Sequence, residues 1–582
     1  MTTLAASFSR IRLRSRLTIG QHPNSYFWLL FLILNTLLFL PVFLLGRQPS
    51  SFLPVNSLAP ANPLQLARQL FIWRNNLDIF RLSAELSILM ALWILLPWPR
   101  WPRLRRLFRW ILAAIYLLAL TYAVYESLAF FIYQQEANLY AHISIFVAGL
   151  EFLVRHMPLK PWQIVGSLAV VPILIYLLIS LIRFITGSVL QRGLNNWSKA
   201  LLLLLAALSL LSMAKYGTNL ASPKSAVSSL ALKLQRNAAV SLALYQDVHE
   251  LQDLSTTQFY DYSGHDLLAK PNIYLIFIES YGSILYNRPA FVDGYTNFLS
   301  QFETDLQQGG WHAVSALSES PSWGGGSWMA YTSLLFGMRV DSNPQYEILF
   351  ERFQEEEYPH LGHTLRDQGY QYIRATSLAA ELPDYEWAEH VKFFGVDRWL
   401  RYRDLNYNGE HYGWGPSPPD QYVLNALHEL VATADNKPFL LFWITQNSHY
   451  PWRTLPEIVD DWQAMNDGDE VVTRFAEDNR SLANKQADYL AAIKYELSFL
   501  TDFILREGDD DAIFILLGDH QPGYVTRRSD GFETPLHLIS RDSLFLERFT
   551  DYGFEPGLVL DNPRPTLRHE GFYSLFMRAL LE

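Results

Sequence analysis

Five long apolar stretches occupy the first third of the chain, at residues 25–46, 80–98, 107–133, 162–186 and 198–214. Most approach the ~20 residues a helix needs to cross a bilayer. The pattern therefore predicts an α-helical transmembrane domain of about five helices over residues 1–216. The first stretch is too long for the apolar core of a signal peptide and no small-residue cleavage site follows it, so it reads as a span. Beyond residue 271 the pattern changes. NIYLIFI (272–278), YQYIRAT (370–376), FLLFWIT (439–445) and AIFILLG (512–518) are short, β-rich and bounded by turn or charged residues, which predicts buried strands. Three of the four are nearly all apolar, as in a parallel sheet covered by helices on both faces. Helical stretches such as QYVLNALHELVATA lie between them. Residues 271–582 are thus expected to form a soluble α/β domain with a mostly parallel central sheet, and residues 217–270 a helical connector.

Charge sharpens the division. Residues 1–216 carry 19 Lys and Arg against 5 Asp and Glu, and the remainder carries 27 against 52. Basic residues cluster at Arg10, Arg12, Arg14 and Arg16, at Arg100, Arg103, Arg105, Arg106 and Arg109, and at Arg183, Arg192 and Lys199. If all five segments span, these clusters share one side, which the positive-inside rule makes cytoplasmic. Everything after the fifth segment is then outside. Residues 144–155 read as an interfacial helix. Because the basic residues flank apolar segments rather than covering a folded face, no nucleic-acid partner is expected. The chain has no cysteine, which excludes disulfides, thiolate chemistry and Cys-ligated zinc.

Ligands of open α/β sheets bind beyond the carboxyl ends of the strands, so the residues that follow each strand matter. Glu279-Ser280-Tyr281-Gly282 follows the first, Gln446-Asn447-Ser448-His449 the third, and Asp519-His520-Gln521 the fourth. Glu279, Asp519 and His520 make an oxygen-rich set with one nitrogen, suited to a divalent cation of the zinc or manganese type. SPSWGGGSWMAYTSLLFG (320–337) places three glycines before Ser327 and an apolar helical pattern after it. That is either a surface turn that opens a helix or a nucleophile presented at a helix N-terminus, where free N–H groups favour an anion. Thr332 and Ser333 read as packed within that helix. His360 and His363, at i, i+3 spacing without a carboxylate partner, read as structural or solvent-facing. Arg374 reads equally as a headgroup ligand or half of a surface ion pair.

Taken together, IES-x-G at a strand end, the glycine-rich segment opening a helix at Ser327, SHYP (448–451) and GDH (518–520) resemble the alkaline phosphatase/sulfatase superfamily. The likeness is to its membrane-anchored branch of lipoteichoic acid synthase, phosphoglycerol transferases and phosphoethanolamine transferases. The resemblance implies four metal ligands, Glu279, Ser327, Asp519 and His520, holding one divalent ion: manganese or zinc first, magnesium as the further option. It implies Ser327 as the nucleophile and His449 as the histidine that contacts the transferred phosphate. GWGPSPPDQYVLNAL resembles the family's Trp-Gly-x-x-Asp segment, with Asp420 at the acidic position. Tyr385 and Trp387 fall near the family's Trp-x-Arg pair, but no arginine stands there. His411 and Trp414 are expected to line the substrate pocket. The formylglycine signature of true sulfatases is missing around SESPSW, and the cysteine pairs of phosphoethanolamine transferases are missing throughout. The implied reaction transfers a phospho-headgroup from a membrane phospholipid donor to a glycan or lipid acceptor, in a bacterial inner-membrane protein with its catalytic domain on the periplasmic or extracellular side. A phosphodiesterase or phospholipase-type hydrolase of the same superfamily is the alternative, and a non-catalytic envelope sensor the third.

Overall fold

The computed structural model describes residues 22–45, 63–71, 79–96, 101–133, 137–143, 146, 161–216, 226–253, 262, 264–267, 269–413, 416–432, 437–466, 480–526 and 530–581. It divides into two compact units, Met1–Leu244 and Tyr245–Glu582. The expected interfacial helix at 144–155 lies almost wholly outside the described residues.

In the first unit the apolar stretches form α1 (Pro23–Leu45), α2 (Ala84–Leu95), α3 (Pro102–Tyr133), α4 (Pro161–Phe184) and α5 (Asn196–Tyr216), followed by α6 (Leu230–Asp253). Among the described residues, four apolar helices are long enough to cross a membrane: Pro23–Leu45, Pro102–Phe130, Ala169–Arg192 and Asn196–Lys215. The stretch at 80–98 departs from its expected length. Its helix α2 has 12 residues, or about 18 Å at the usual rise, short of a hydrocarbon core. Both ends have a cause. At the start, residues 81–83 are held extended: Asn35 on α1 donates to the Arg81 carbonyl at 2.6 Å and accepts from the Ser83 N–H at 2.9 Å. The Ser83 hydroxyl then caps the helix by accepting from Leu86 N–H. At the far end Leu96 has extended backbone, as a residue before proline must. The boundary between the two units falls within α6.

The second unit is built on a nine-stranded sheet. Its strands are β1 (Ile273–Ile278), β2 (His312–Glu319), β3 (Gln371–Ala375), β4 (Arg398–Leu400), β5 (Phe439–Ile444), β6 (Ile513–Gly518), β7 (Glu533–Ser540), β8 (Glu555–Pro556) and β9 (Pro565–Arg568). They lie in the order β8-β2-β7-β6-β1-β5-β3-β4, with β9 also beside β2. The run β6-β1-β5-β3-β4 is parallel throughout. The four strands read from the sequence are its heart. β2 and β7 escape the hydrophobic pattern because HAVSALSE and ETPLHLIS carry polar residues at inward positions. Those residues satisfy one another: the Ser315 hydroxyl meets His537 Nδ1 at 2.7 Å. The pair runs antiparallel.

Successive residues of a strand point to opposite faces. Tyr274, Ile276 and Ile278 of β1 therefore join one core, with Tyr295, Leu299 and Phe302 of α7 (Val292–Gln308). Ile273, Leu275 and Phe277 join the other, with Met329, Ala330 and Leu334 of α8 (Ser327–Phe336). Burying each large side chain contributes about 1.5–3 kcal/mol, so both faces lock the central strands and fix where their carboxyl ends fall. Three further helices matter below: α9 (Asp384–Phe394), α10 (Asp420–Ala432) and α11 (Leu482–Glu507).

Arg374 does not form the surface ion pair considered for it. Its guanidinium is buried, 3.8 Å from the Phe394 ring centroid and 3.9 Å from that of Phe442. His360 and His363 are also buried, with rings stacked at 4.0 Å. His360 caps the helix that follows it by accepting from Gly362 N–H, a structural duty.

Candidate active site at the carboxyl edge of the parallel strands

Adjacent parallel strands β1 and β6 end in register, Ile278 beside Gly518, so Glu279 and Asp519 emerge side by side. The approach is close. A Cβ on Gly518 would lie 1.9 Å from the Tyr281 carbonyl oxygen, so only glycine lets the two post-strand turns meet. Ser280 turns the chain away with φ +58°. Its hydroxyl donates to Glu279 Oε1 at 2.9 Å, and its N–H to Asp519 Oδ1 at 2.8 Å. Thr445, just past β5, accepts from the Glu279 N–H at 3.1 Å.

One ligand atom each from Glu279, Asp519 and His520 lies within 4.8 Å of the others, and all three residues are buried. Ser327 reaches the same point from α8. Its hydroxyl donates to Glu279 Oε2 at 3.4 Å and stands 3.5 Å from His520 Nε2. The three glycines explain how it gets there: Gly324, Gly325 and Gly326 all have positive φ, a region costly to side-chain-bearing residues. A Cβ on Gly325 would meet nothing within 4 Å, whereas one on Gly326 would lie 2.5 Å from the Met329 side chain, so the tight turn into α8 needs glycine at Gly326. Thr332 and Ser333 are fully buried within α8; the Ser333 hydroxyl accepts from Val340 N–H at 2.8 Å.

The hydrogen bonds of the cluster leave one buried oxygen of Asp519 without a donor and turn His520 Nε2 toward the carboxylates. Asp519 Oδ1 accepts from the Ser280 and His520 N–H groups, while Asp519 Oδ2 is buried with no donor. His520 Nδ1 donates to the Gln521 carbonyl at 3.0 Å, which leaves Nε2 bearing the lone pair, 3.3 Å from Asp519 Oδ2 and 3.6 Å from Glu279 Oε1. An orphaned buried carboxylate oxygen beside a second carboxylate and a free imidazole nitrogen is a donor set that fits a divalent cation. Burial, and then the nearby Glu279 charge, push the Asp519 carboxyl up to about 7. Burial alone would lower His520; the Asp519 and Glu279 carboxylates outweigh it and raise its pKa. Both shifts reflect burial and negative charge crowded together.

His449 closes the group. Its Nδ1 donates to the Tyr450 carbonyl at 2.7 Å, and its Nε2 lies 4.0 Å from Glu279 Oε1. Burial above all, and His520 after it, lower its pKa against the Tyr450 hydrogen bond and the pull of Asp519. The structure thus brings together Glu279, Ser327, His449, Asp519 and His520. The other candidates sit as follows. Trp387 on α9 is buried edge-on to Trp399 at 5.0 Å, with the Arg401 guanidinium 5.5 Å from its ring. Tyr385 is exposed, its hydroxyl donating to Glu386. His411 is buried, its Nε2 2.7 Å from the Tyr402 hydroxyl. Trp414 lies outside the described residues. Sequence reasoning missed Ser280 and Thr445, which orient Glu279; the only signal was a hydroxyl beside a strand-end carboxylate and another ending a neighbouring strand.

No protein-family model and no curated protein matches the chain. Among solved structures it is similar to lipoteichoic acid synthase LtaP from Listeria monocytogenes, at 15% identity over 58% of this chain and 77% of that one, TM-score 0.36. It is also similar to the phosphoglycerol transferase GacH of Streptococcus pyogenes in complex with sn-glycerol-1-phosphate, at 14% identity over 52% and 75%, TM-score 0.33. A third likeness is to the periplasmic domain of EptC from Escherichia coli in complex with Zn, at 14% identity over 56% and 85%, TM-score 0.34. These likenesses concern the fold, at identities and scores that leave the chemistry to be argued from the chain's own side chains.

Proposed function

We propose that the chain is an enzyme that transfers a phospho-headgroup, of the phosphoglycerol or phosphoethanolamine type, from a membrane phospholipid to a glycan or lipid acceptor on the outer side of a bacterial inner membrane, a placement that requires the short α2 with its flanking residues to cross along with the four longer helices. The observation that carries this reading is the Ser327 hydroxyl, 3.4 Å from Glu279 and 3.5 Å from His520 at the opening of α8. A divalent cation held by Glu279, Ser327, Asp519 and His520 would supply the charge that makes a serine hydroxyl acidic enough to attack at neutral pH. Among the described residues, no other group of three or more acidic or histidine side chains is close enough to hold one.

In the first step the Ser327 oxygen bonds to the donor's phosphorus and the bond to the diacylglycerol oxygen breaks, that oxygen leaving with a proton. In the second, an acceptor hydroxyl attacks the same phosphorus, loses its proton, and releases Ser327. His449 Nε2 suits the proton transfers in both directions, because its tautomer is set by the Tyr450 carbonyl and its pKa lies below the usual histidine value. The backbone at Gly324–Gly326 and the first turn of α8 receive the phosphoryl oxygens, with the N–H groups and helix dipole favouring negative charge. Splitting one transfer into two displacements means donor and acceptor need not be bound together.

The test is mass spectrometry of the Ser327 peptide after incubating the purified full chain with isotopically labelled phosphatidylglycerol or phosphatidylethanolamine. A labelled phospho-headgroup on Ser327, absent from Ser327→Ala, is the expected result. No adduct on Ser327 together with undiminished turnover in Ser327→Ala overturns the reading. Recovery of free phospho-headgroup in place of a modified acceptor assigns the second step to water.

A further inference from the structure

Asp420 and Glu496 are two carboxyl groups buried side by side behind the loop that carries His449. Both are 0% exposed. Asp420 opens α10, and its Oδ2 accepts from the N–H groups of Gln446 at 2.7 Å and Asn447 at 2.6 Å, while its own N–H donates to Asn447 Oδ1 at 2.8 Å. Glu496 lies on the inward face of α11 with Ile493 and Leu497; burial first and the Asp420 charge second push its carboxyl well up, with Ser448 acting the other way. Three oxygens of this pair, Asp420 Oδ1 and both of Glu496, are buried with no donor. Buried acceptors without a donor are destabilising, more so when charged, and two ionised carboxylates side by side away from water are far costlier. One proton between them answers both costs, since it supplies a missing donor and removes one of the two charges. Asp420 is the member suited to stay ionised, because it already accepts two backbone N–H groups.

We propose that Asp420 and Glu496 share a single proton, carried by Glu496, and that the pair acts as a positioning clamp for residues 445–449. The clamp reaches the chemistry through that loop. Asp420 fixes Gln446 and Asn447; the Gln446 carbonyl accepts from the His449 N–H at 3.1 Å. Ser448, which faces Glu496, bonds Thr445 Oγ1 at 3.2 Å, and Thr445 holds the Glu279 N–H. Displacing the loop therefore moves His449 and loosens Glu279 together, although neither carboxyl touches the reacting atoms. The titratable groups around the pair are Tyr495 on α11, Tyr412 in the segment before α10, and Glu279 beyond β1. Burial keeps Tyr495 neutral. The Glu279 charge, like burial, disfavours a second negative charge at the pair.

The role of the clamp rests on the transfer reaction proposed above, so its test has a part that does not. Difference infrared spectra of the full chain at neutral pH, wild type minus Glu496→Gln, are expected to show a protonated-carboxyl C=O band that the variant lacks, separate from the Asp519 contribution that both share. A wild type without that band, or a band that survives in Glu496→Gln and vanishes in Asp420→Asn, overturns the assignment whether or not the protein transfers anything. For positioning, Glu496→Ala is expected to lower kcat about 10–100-fold, as for other groups that orient a metal site, with KM little changed. Glu496→Gln, whose amide can donate to Asp420 without a proton to lose, restores kcat. Equal loss in Gln and Ala variants that retain the wild-type Tm overturns the clamp. A wild type with the band but no headgroup transfer refutes the proposed function and leaves the shared proton standing.

Discussion

At the scale of single residues the candidate site is a problem in negative charge. Glu279 and Asp519 are buried together with one imidazole, and Asp519 Oδ2 has no donor. With its carboxyl pushed up to about 7 from an ordinary 3.8, metal-free native protein holds a proton in that interval that the unfolded chain has released. Native stability without metal is therefore expected to fall as pH rises from about 4 to about 7. Thermal unfolding with and without chelator checks this. A cation at 100 times its Kd would add about 2.7 kcal/mol, and metal affinity is expected to weaken as pH drops below 7, because the proton competes for Asp519. Asp519→Asn is expected to lose bound metal and transfer activity together, measured by metal analysis and headgroup transfer. Ser327→Ala is expected to abolish transfer with only partial loss of metal, since three ligands remain. The acidic and histidine members of this cluster were legible in the sequence because each directly follows a strand that is itself legible. Glu496 was legible in principle, as an acidic residue at i+3 from Ile493 on an apolar helix face. Its partner was not, because nothing in local sequence pairs α10 with α11.

At the scale of elements, glycine decides how close the strands' ends come. Gly518→Ala would set a Cβ 1.9 Å from the Tyr281 carbonyl oxygen, a clash with backbone that cannot swing aside. The expected cost is about 1–3 kcal/mol, as for other overpacking changes, with metal affinity reduced because Asp519 is displaced from Glu279; a Tm shift and metal titration measure both. Elements also mark where pattern reading stopped. The parallel strands β1, β5 and β6 announced themselves as nearly unbroken apolar runs, and β3 as a short β-rich one. β2 and β7 did not, because Ser315 and His537 are buried polar groups paired across strands far apart in sequence. The helix at 84–95 shows the opposite failure. Its stretch had the apolar length for a span, yet Asn35 on another helix holds residues 81–83 extended and Pro97 follows Leu96, so the helix that forms is shorter than its composition.

At the scale of the whole molecule, four membrane-length helices and an α/β unit sit on one chain that has no cysteine. This gives a clean test of the proposed orientation. Leu544 is 71% exposed on the α/β unit, and Leu544→Cys is expected to react with a membrane-impermeant maleimide in intact spheroplasts. Labelling only after lysis would place the unit in the cytoplasm and reverse the proposed topology. The sequence by itself determined the division into an apolar, basic third and an acidic α/β remainder, the central parallel strands, and the candidate ligands at their ends. Those follow from local hydrophobic periodicity and from charge, which need no knowledge of neighbours. Tertiary structure alone decided that Ser327 arrives within hydrogen-bonding distance of Glu279, that Arg374 is buried among aromatic rings, and that Asp420 meets Glu496. Each is a contact between segments tens of residues apart, and packing, not pattern, brings such segments together.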